Sequence, residues 1–311
     1  MARGEVLVAI DVGTSGARAV AIGLEGDRYL EVRKAYPTAS PAPGWAEQDP
    51  RAWRTAALAA LAGMVRQLGS RRRVLAIGLT GPCPSVCLVD ANGRPLGPGL
   101  IYRDNRATAE AAAIRERFGD AAIHARTGHL PAAFHIGPKL MWLKTHEPSL
   151  FTRAARALQP RDLVAHALTG EMATDGTHGA ATLVFDLRRR AWAEDLQAAL
   201  GLPRQLFPRL HASAEPLAGL APAVARRVGL PAGLPIILGG LVLSAVGMAL
   251  FPWSARFGIA GIIAAIIVLY TGINVQRSPF QALVADAVPS RYRSRYPKPR
   301  VRPTPKPPNR K

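Results

Sequence analysis

The stretch "AIDVGTSGARAVAI" gathers one carboxylate, two hydroxyls and two glycines into a few residues. Asp11 closes an apolar strand, and Gly13, Thr14, Ser15 and Gly16 form a tight turn into the next one. Glycines let backbone N–H groups approach a phosphate, hydroxyls donate to it, and a carboxylate holds Mg2+ or its waters. The same residues also suit a plain hairpin in which Asp11 and Thr14 satisfy their own backbone. Spacing alone leaves both readings open. The two cysteines, Cys83 and Cys87 in "CPSVC", are four apart. That spacing fits neither a zinc knuckle nor a thioredoxin-like pair, so reduced, partly buried thiols are expected.

The elements that must carry these residues are legible from periodicity. "EVLVAIDVG", "ARAVAIGLEGDRY" and "LEVRKAYP" read as three strands joined by hairpins. From Pro50, "PRAWRTAALAALAGMVRQLG" is a helix with Asp49 as N-cap and Gly69 as its stop, followed by a strand, "VLAIGLTG". Beyond Arg103, helical runs alternate with Gly and Pro punctuation: "RATAEAAAIRERFG", "GPKLMWLKTHEP", "PRDLVAHALTG", "WAEDLQAALG" and "LAPAVARRVG". The pattern is that of an α/β core with a helix-rich extension. Glu5 and Asp11 interrupt the apolar run a signal peptide needs, so export is not expected.

The 311 residues carry a net charge of +19, which by itself suggests nucleic acid or an anionic membrane as partner. Much of the excess sits in the tail "SRYRSRYPKPRVRPTPKPPNRK", which contains no acid. Such a Pro-rich basic segment, the end of a tail assigned to residues 276–311, should be extended and disordered after Ser290. No folded reader accompanies it, so nucleic acid is not an expected partner.

Hydropathy changes abruptly near residue 234. Residues 234–252 and 258–275 are uncharged, and each approaches the roughly 20 residues that span a bilayer. They predict a transmembrane hairpin within residues 234–275, with helices at about 234–252 and 257–275. The basic tail places both ends of the hairpin in the cytoplasm. Buried core helices are the alternative, and "PIILGG" alone reads equally well as a buried parallel strand ending in a glycine turn.

Several stretches in order resemble the FGGY family of carbohydrate kinases, most closely its xylulokinase-like members. They are "AIDVGTSGARAV", "GWAEQDPRAW", "AIGLTGPCPSVCLVDANGRPLGPGLIYRDNRA", "GPKLMWLKTHEPSLF", "LQPRDLVAHALTGEMATD" and "LVFDLRRRAW". The resemblance covers residues 5 to about 240, half of a family chain, and implies a ribonuclease H-like (actin-like ATPase) domain over residues 1–233. In the family, sugar and ATP meet in a cleft between two such domains. It implies ATP and Mg2+ as cofactors, with Asp11 at the metal and Gly13, Thr14, Ser15 and Gly16 at the phosphates. Gly81, Cys83, Pro84, Ser85, Asp104, Asn105 and Arg106 would line the sugar. Where xylulokinases read "GQMHG" this chain reads "GPCPS", which removes an imidazole from the sugar side and puts the sugar's identity in question.

A second departure concerns the reaction. In the family an aspartate that serves as general base follows the glycines matching Gly239 and Gly240; here Leu241 and Val242 occupy that position, and no acid recurs until Asp286. The chain is therefore expected to be kinase-like but inactive alone, with its second half absent or supplied by a separate chain. Residues from Gly239 onward, notably "NVQRSPFQALVADAVP", resemble transporters of the major facilitator superfamily. That resemblance adds two further expectations: a membrane-tethered sugar- or nucleotide-binding module, or a chimera of a sugar kinase and a sugar transporter with no function of its own.

Overall fold

Strict alternation builds the central sheet. Val6, Val8, Ile10 and Val12 are at most 2% exposed, while Leu7, Ala9 and Asp11 between them are only partly covered. A strand with one buried face has this period of two. In the computed structural model, which describes residues 4–23 and 29–238, these residues form β1 (Gly4–Val12). β2 (Gly16–Gly23) and β3 (Tyr29–Ala35) continue it as an antiparallel meander. β4 (Arg72–Thr80) pairs with β1 in parallel. β5 (Pro216–Gly219) and β6 (Pro235–Ile237) complete a six-stranded sheet of order β5-β6-β4-β1-β2-β3, in which β6 runs parallel to β4.

Helix α1 (Pro50–Leu68) covers the buried face. Its start is fixed by the Asp49 carboxylate, which accepts from Arg51 N–H, and by Pro50 in the first turn. Trp53, Ala57, Ala60, Leu61 and Met64 repeat at helical spacing and are fully buried. They rest on Ala17, Ala19 and Ala21 of β2, whose small side chains leave room for the helix. α3 (Pro160–Thr169) joins the same core through Leu163, Val164 and Leu168, and a second apolar cluster forms around α2 (Ile136–His146) with Leu140, Leu143 and Leu183.

The expected meander, α1 with its cap, and the helical runs beyond Arg103 are all present. The opening of the first predicted membrane span is not helical. Its opening residues, 234–238, lie in and beside β6, with Ile236 and Leu238 fully buried and Ile236 in register with Ile77. Pro235–Ile237 is thus a strand of the central sheet, because its apolar side chains complete the layer begun by β4. Among the described residues, no helix is long and apolar enough to cross a membrane. The remainder of that span, the second span and the basic tail lie outside the described residues.

Candidate phosphate and sugar site

Three segments leave the sheet at one edge. Asp11 and Thr80 are register partners, so the turn at 13–16 and the loop beginning at Gly81 depart side by side from β1 and β4. β6 ends beside them, with Ile237 opposite Gly78. The carboxyl ends of parallel strands are where open α/β sheets bind ligands.

The 13–16 turn is held from behind. Gly13 N–H donates to Gly16 O at 2.9 Å. Tyr36 Oη donates to Gly13 O at 2.5 Å, and Gln48 Nε2 donates to Thr14 O at 2.6 Å. Gln48 is itself fixed by Trp53, whose Nε1 donates to Gln48 Oε1 at 2.7 Å. A trans peptide points its N–H opposite to its C=O. Anchoring the carbonyls of Gly13 and Thr14 therefore turns the N–H groups of Thr14 and Ser15 the other way, where neither has a partner among the described residues. Adjacent free amides of this kind form an anion-binding concavity. Gly16 is required sterically, since a Cβ there would lie 2.5 Å from Lys34 O on β3.

Asp11 stands at the edge of this turn. Its Oδ2 accepts from Arg18 Nε at 2.9 Å, and its Oδ1 makes no hydrogen bond among the described residues. Burial pushes the carboxyl's pKa up, and the Arg18 guanidinium opposes that rise. No group of three or more potential metal ligands exists among the described residues. One carboxylate with a free oxygen beside such a turn fits Mg2+, which keeps most of its waters and takes further ligands from phosphates.

The residues expected along the sugar divide into two kinds. Gly81 passes tightly over α3, where a Cβ would lie 3.1 Å from Arg161 Cβ. Cys83 is partly exposed, and burial raises its thiol's pKa; its peptide bond to Pro84 is cis. Ser85 is buried, and its Oγ accepts from Tyr102 N–H at 3.1 Å. Asn105 presents an exposed side chain.

Asp104 and Arg106 are committed internally. Asp104 is fully buried, and its carboxylate accepts from Ala46 N–H at 2.6 Å and from Arg106 Nε and Nη2 at 2.9 and 2.8 Å. Arg106 also donates to Glu47 Oε1 at 2.6 Å and lies over the Trp45 ring at 3.6 Å. These two residues build the loop's frame; Arg106 Nη1 is the side-chain nitrogen of the pair that makes no hydrogen bond among the described residues.

Two residues that sequence reasoning did not single out organise the site. Lys139 on α2 is fully buried, donates from Nζ to Ile101 O at 2.7 Å, and lies 3.5 Å from Pro84 O. It ties the loop at 81–85 to the loop at 101–106. Burial lowers its pKa to about 7, and Asp104 opposes that shift. Arg161 is equally enclosed: Asp162 and Asp175 hold its guanidinium, and Nη1 donates to Leu238 O at 2.8 Å. The signal for both was a charge set into an otherwise apolar helical face in "GPKLMW" and "PRDLV".

With this geometry in place, the relatives are informative. Residues 6–247 match the model of the FGGY family of carbohydrate kinases, N-terminal domain. The chain belongs to that family. It is 31% identical over 233 residues to the xylulose kinase of Escherichia coli (strain K12), covering 75% of this chain and 47% of that protein. It is also 33% identical over 215 residues to the glycerol kinase of Thermus brockianus, covering 67% and 43%. The crystal structure of xylulose kinase from Rhodospirillum rubrum superimposes with a TM-score of 0.74 at 30% identity, covering 78% of this chain and 50% of that one. The chain thus spans about half the length of the relatives it matches. The family match continues through residue 247, inside the stretch expected to be a transporter-like membrane helix, and lends that expectation no support.

Proposed function

We propose that this domain is the phosphate- and sugar-binding half of a carbohydrate kinase, with a ribonuclease H-like sheet and a pentulose or a related polyol as its sugar. The observation that carries this reading is the register pairing of Asp11 with Thr80, which brings the anion-binding turn and the 81–85 loop out at one sheet edge. Asp11 would hold Mg2+, and the amides of Thr14 and Ser15 would hold phosphate oxygens. The metal with ATP would supply charge neutralisation at the transferring phosphoryl group. The chain's own residues do the rest: Tyr36 and Gln48 keep the amides aimed outward, and Lys139 holds the sugar-side loops together.

Transfer to an alcohol releases a proton, which needs an acceptor within hydrogen-bond reach. Leu241 and Val242, at the position where the family carries its base, have hydrocarbon side chains that accept none, and no Asp or Glu lies between Glu215 and Asp286. Residues 1–311 by themselves are therefore expected to bind their ligands without turning them over, and a carboxylate supplied at that position would restore transfer. The test is calorimetric titration of the full chain with D-xylulose, glycerol and Mg·ATP, beside an ADP-release assay. Binding without ADP release supports the reading; ADP release by the chain alone rejects the missing-base argument. Attachment of this domain to a membrane rests on the apolar composition of residues 239–275. Recovery of the chain in the soluble fraction would reject it.

A further inference from the structure

One row of side chains crosses four strands on the open face of the sheet. Arg33 of β3 is the register partner of Arg18 on β2, Arg18 of Asp11 on β1, and Asp11 of Thr80 on β4. Directly opposed residues in a sheet have Cβ atoms about 5 Å apart, and like charges so placed are destabilising. Arg18 and Arg33 form such a pair, and both are exposed. Glu31, also exposed, is the acid that could offset them on β3, yet no ion pair joins it to either arginine among the described residues. Its field acts instead on Asp11.

Both guanidiniums turn toward the 13–16 turn. Arg18 Nε donates to Asp11 Oδ2, and Arg33 Nη2 donates to Ser15 Oγ at the turn's exposed tip. Asp11 offsets Arg18, but Arg33 has no carboxylate partner among the described residues, and a charge left so at the cost of stability is expected where a ligand provides the partner. The geometry points to Arg33 as a further phosphate-binding residue, forming with Arg18 a guanidinium pair at the outer lip of the turn that receives the oxygens of a polyphosphate. Arginine suits this role because its planar fork donates two parallel hydrogen bonds to a phosphate. The inference rests on the reading of the 13–16 turn as a phosphate cradle, and it assigns a residue on β3 that the turn motif does not contain.

The test uses the full chain, as wild type, R33Q, R33K and D11N, with Mg·ATP and inorganic pyrophosphate as probes in thermal melts and calorimetric titrations. R33Q should melt at or above the wild-type temperature without ligand, since a repulsion is relieved. Its affinity for both probes should fall about ten-fold, the size expected for one charge-assisted hydrogen bond. R33K, which keeps the charge and loses the fork, should fall between. R33Q or R33K with wild-type affinity, or an R33Q that melts lower and binds as before, overturns the assignment, because Arg33 is then structural. If R33Q fails to fold, R33K decides. A wild type that responds to neither probe, and behaves as D11N does, overturns the phosphate cradle itself together with this inference.

Discussion

Arg161 donates from Nη1 to the carbonyl oxygen of Leu238 at 2.8 Å, and so fixes the end of β6 where it meets the site edge. The same guanidinium neutralises Asp162 and Asp175, all three being nearly inaccessible. Burial opposes ionisation of Asp175, yet Arg161 holds its carboxyl well below the usual range, and His178 N–H donates to Asp175 Oδ1 at 3.0 Å.

Removing one partner of such a cluster leaves buried charge uncompensated. R161M should therefore destabilise the chain by about 3–5 kcal/mol. Urea denaturation of wild type and R161M checks this, and R161K should recover only part of the loss because it cannot span both carboxylates and the carbonyl. An R161M curve that overlays the wild type would mean the cluster contributes nothing.

Lys139 gives a pH dependence of definite sign. Its folded pKa of about 7 lies below the 10.5 of the free side chain. Below pH 7 both states hold the proton. As pH rises above 7 the folded state sheds it while the unfolded state keeps it, so this group's contribution to stability increases, by at most about 1.4 kcal/mol per pH unit. Wild type should gain stability relative to K139M between pH 7 and 8.5, a window below the thiol titration of the unfolded chain. A flat difference between the two proteins would show that Lys139 keeps an ordinary pKa.

Gln48 links the turn to the core. Q48L strips a partner from Trp53 Nε1 and from Thr14 O at once, so a loss of about 1–3 kcal/mol is expected. Because Thr14 O would be freed to rotate, affinity for Mg·ATP should drop as well. Y36F, which removes only the bond to Gly13 O, should do less of both. Equal ligand affinity in wild type and Q48L would contradict the anchoring of the turn from behind.

Much of the fold could be read from local pattern. Asp49, Pro50 and Gly69 punctuate α1 by their own chemistry, and the alternation through Val6, Val8 and Ile10 marks β1 without further context. Residues 234–238 could not be read this way. A short apolar run has no period to separate strand from helix, and what makes it a strand is pairing with Ile77, remote in sequence. The site was legible in part for the same reason. The turn at 13–16 carries its chemistry in adjacent residues. Asp104 and Arg106 carry the right types for a sugar site, but Ala46, Glu47 and Trp45 engage most of their polar atoms, and those come from a separate segment.

The most direct measurement is a titration of the full chain with Mg·ATP, followed by thermal melting and repeated with D11N. Because the Asp11–Arg18 pair is half exposed, D11N should melt close to wild type in the absence of ligand. The account predicts a Mg2+-dependent rise in melting temperature for wild type and its loss in D11N. Wild type and D11N responding alike, whether both rise or neither does, would contradict a phosphate site built on Asp11.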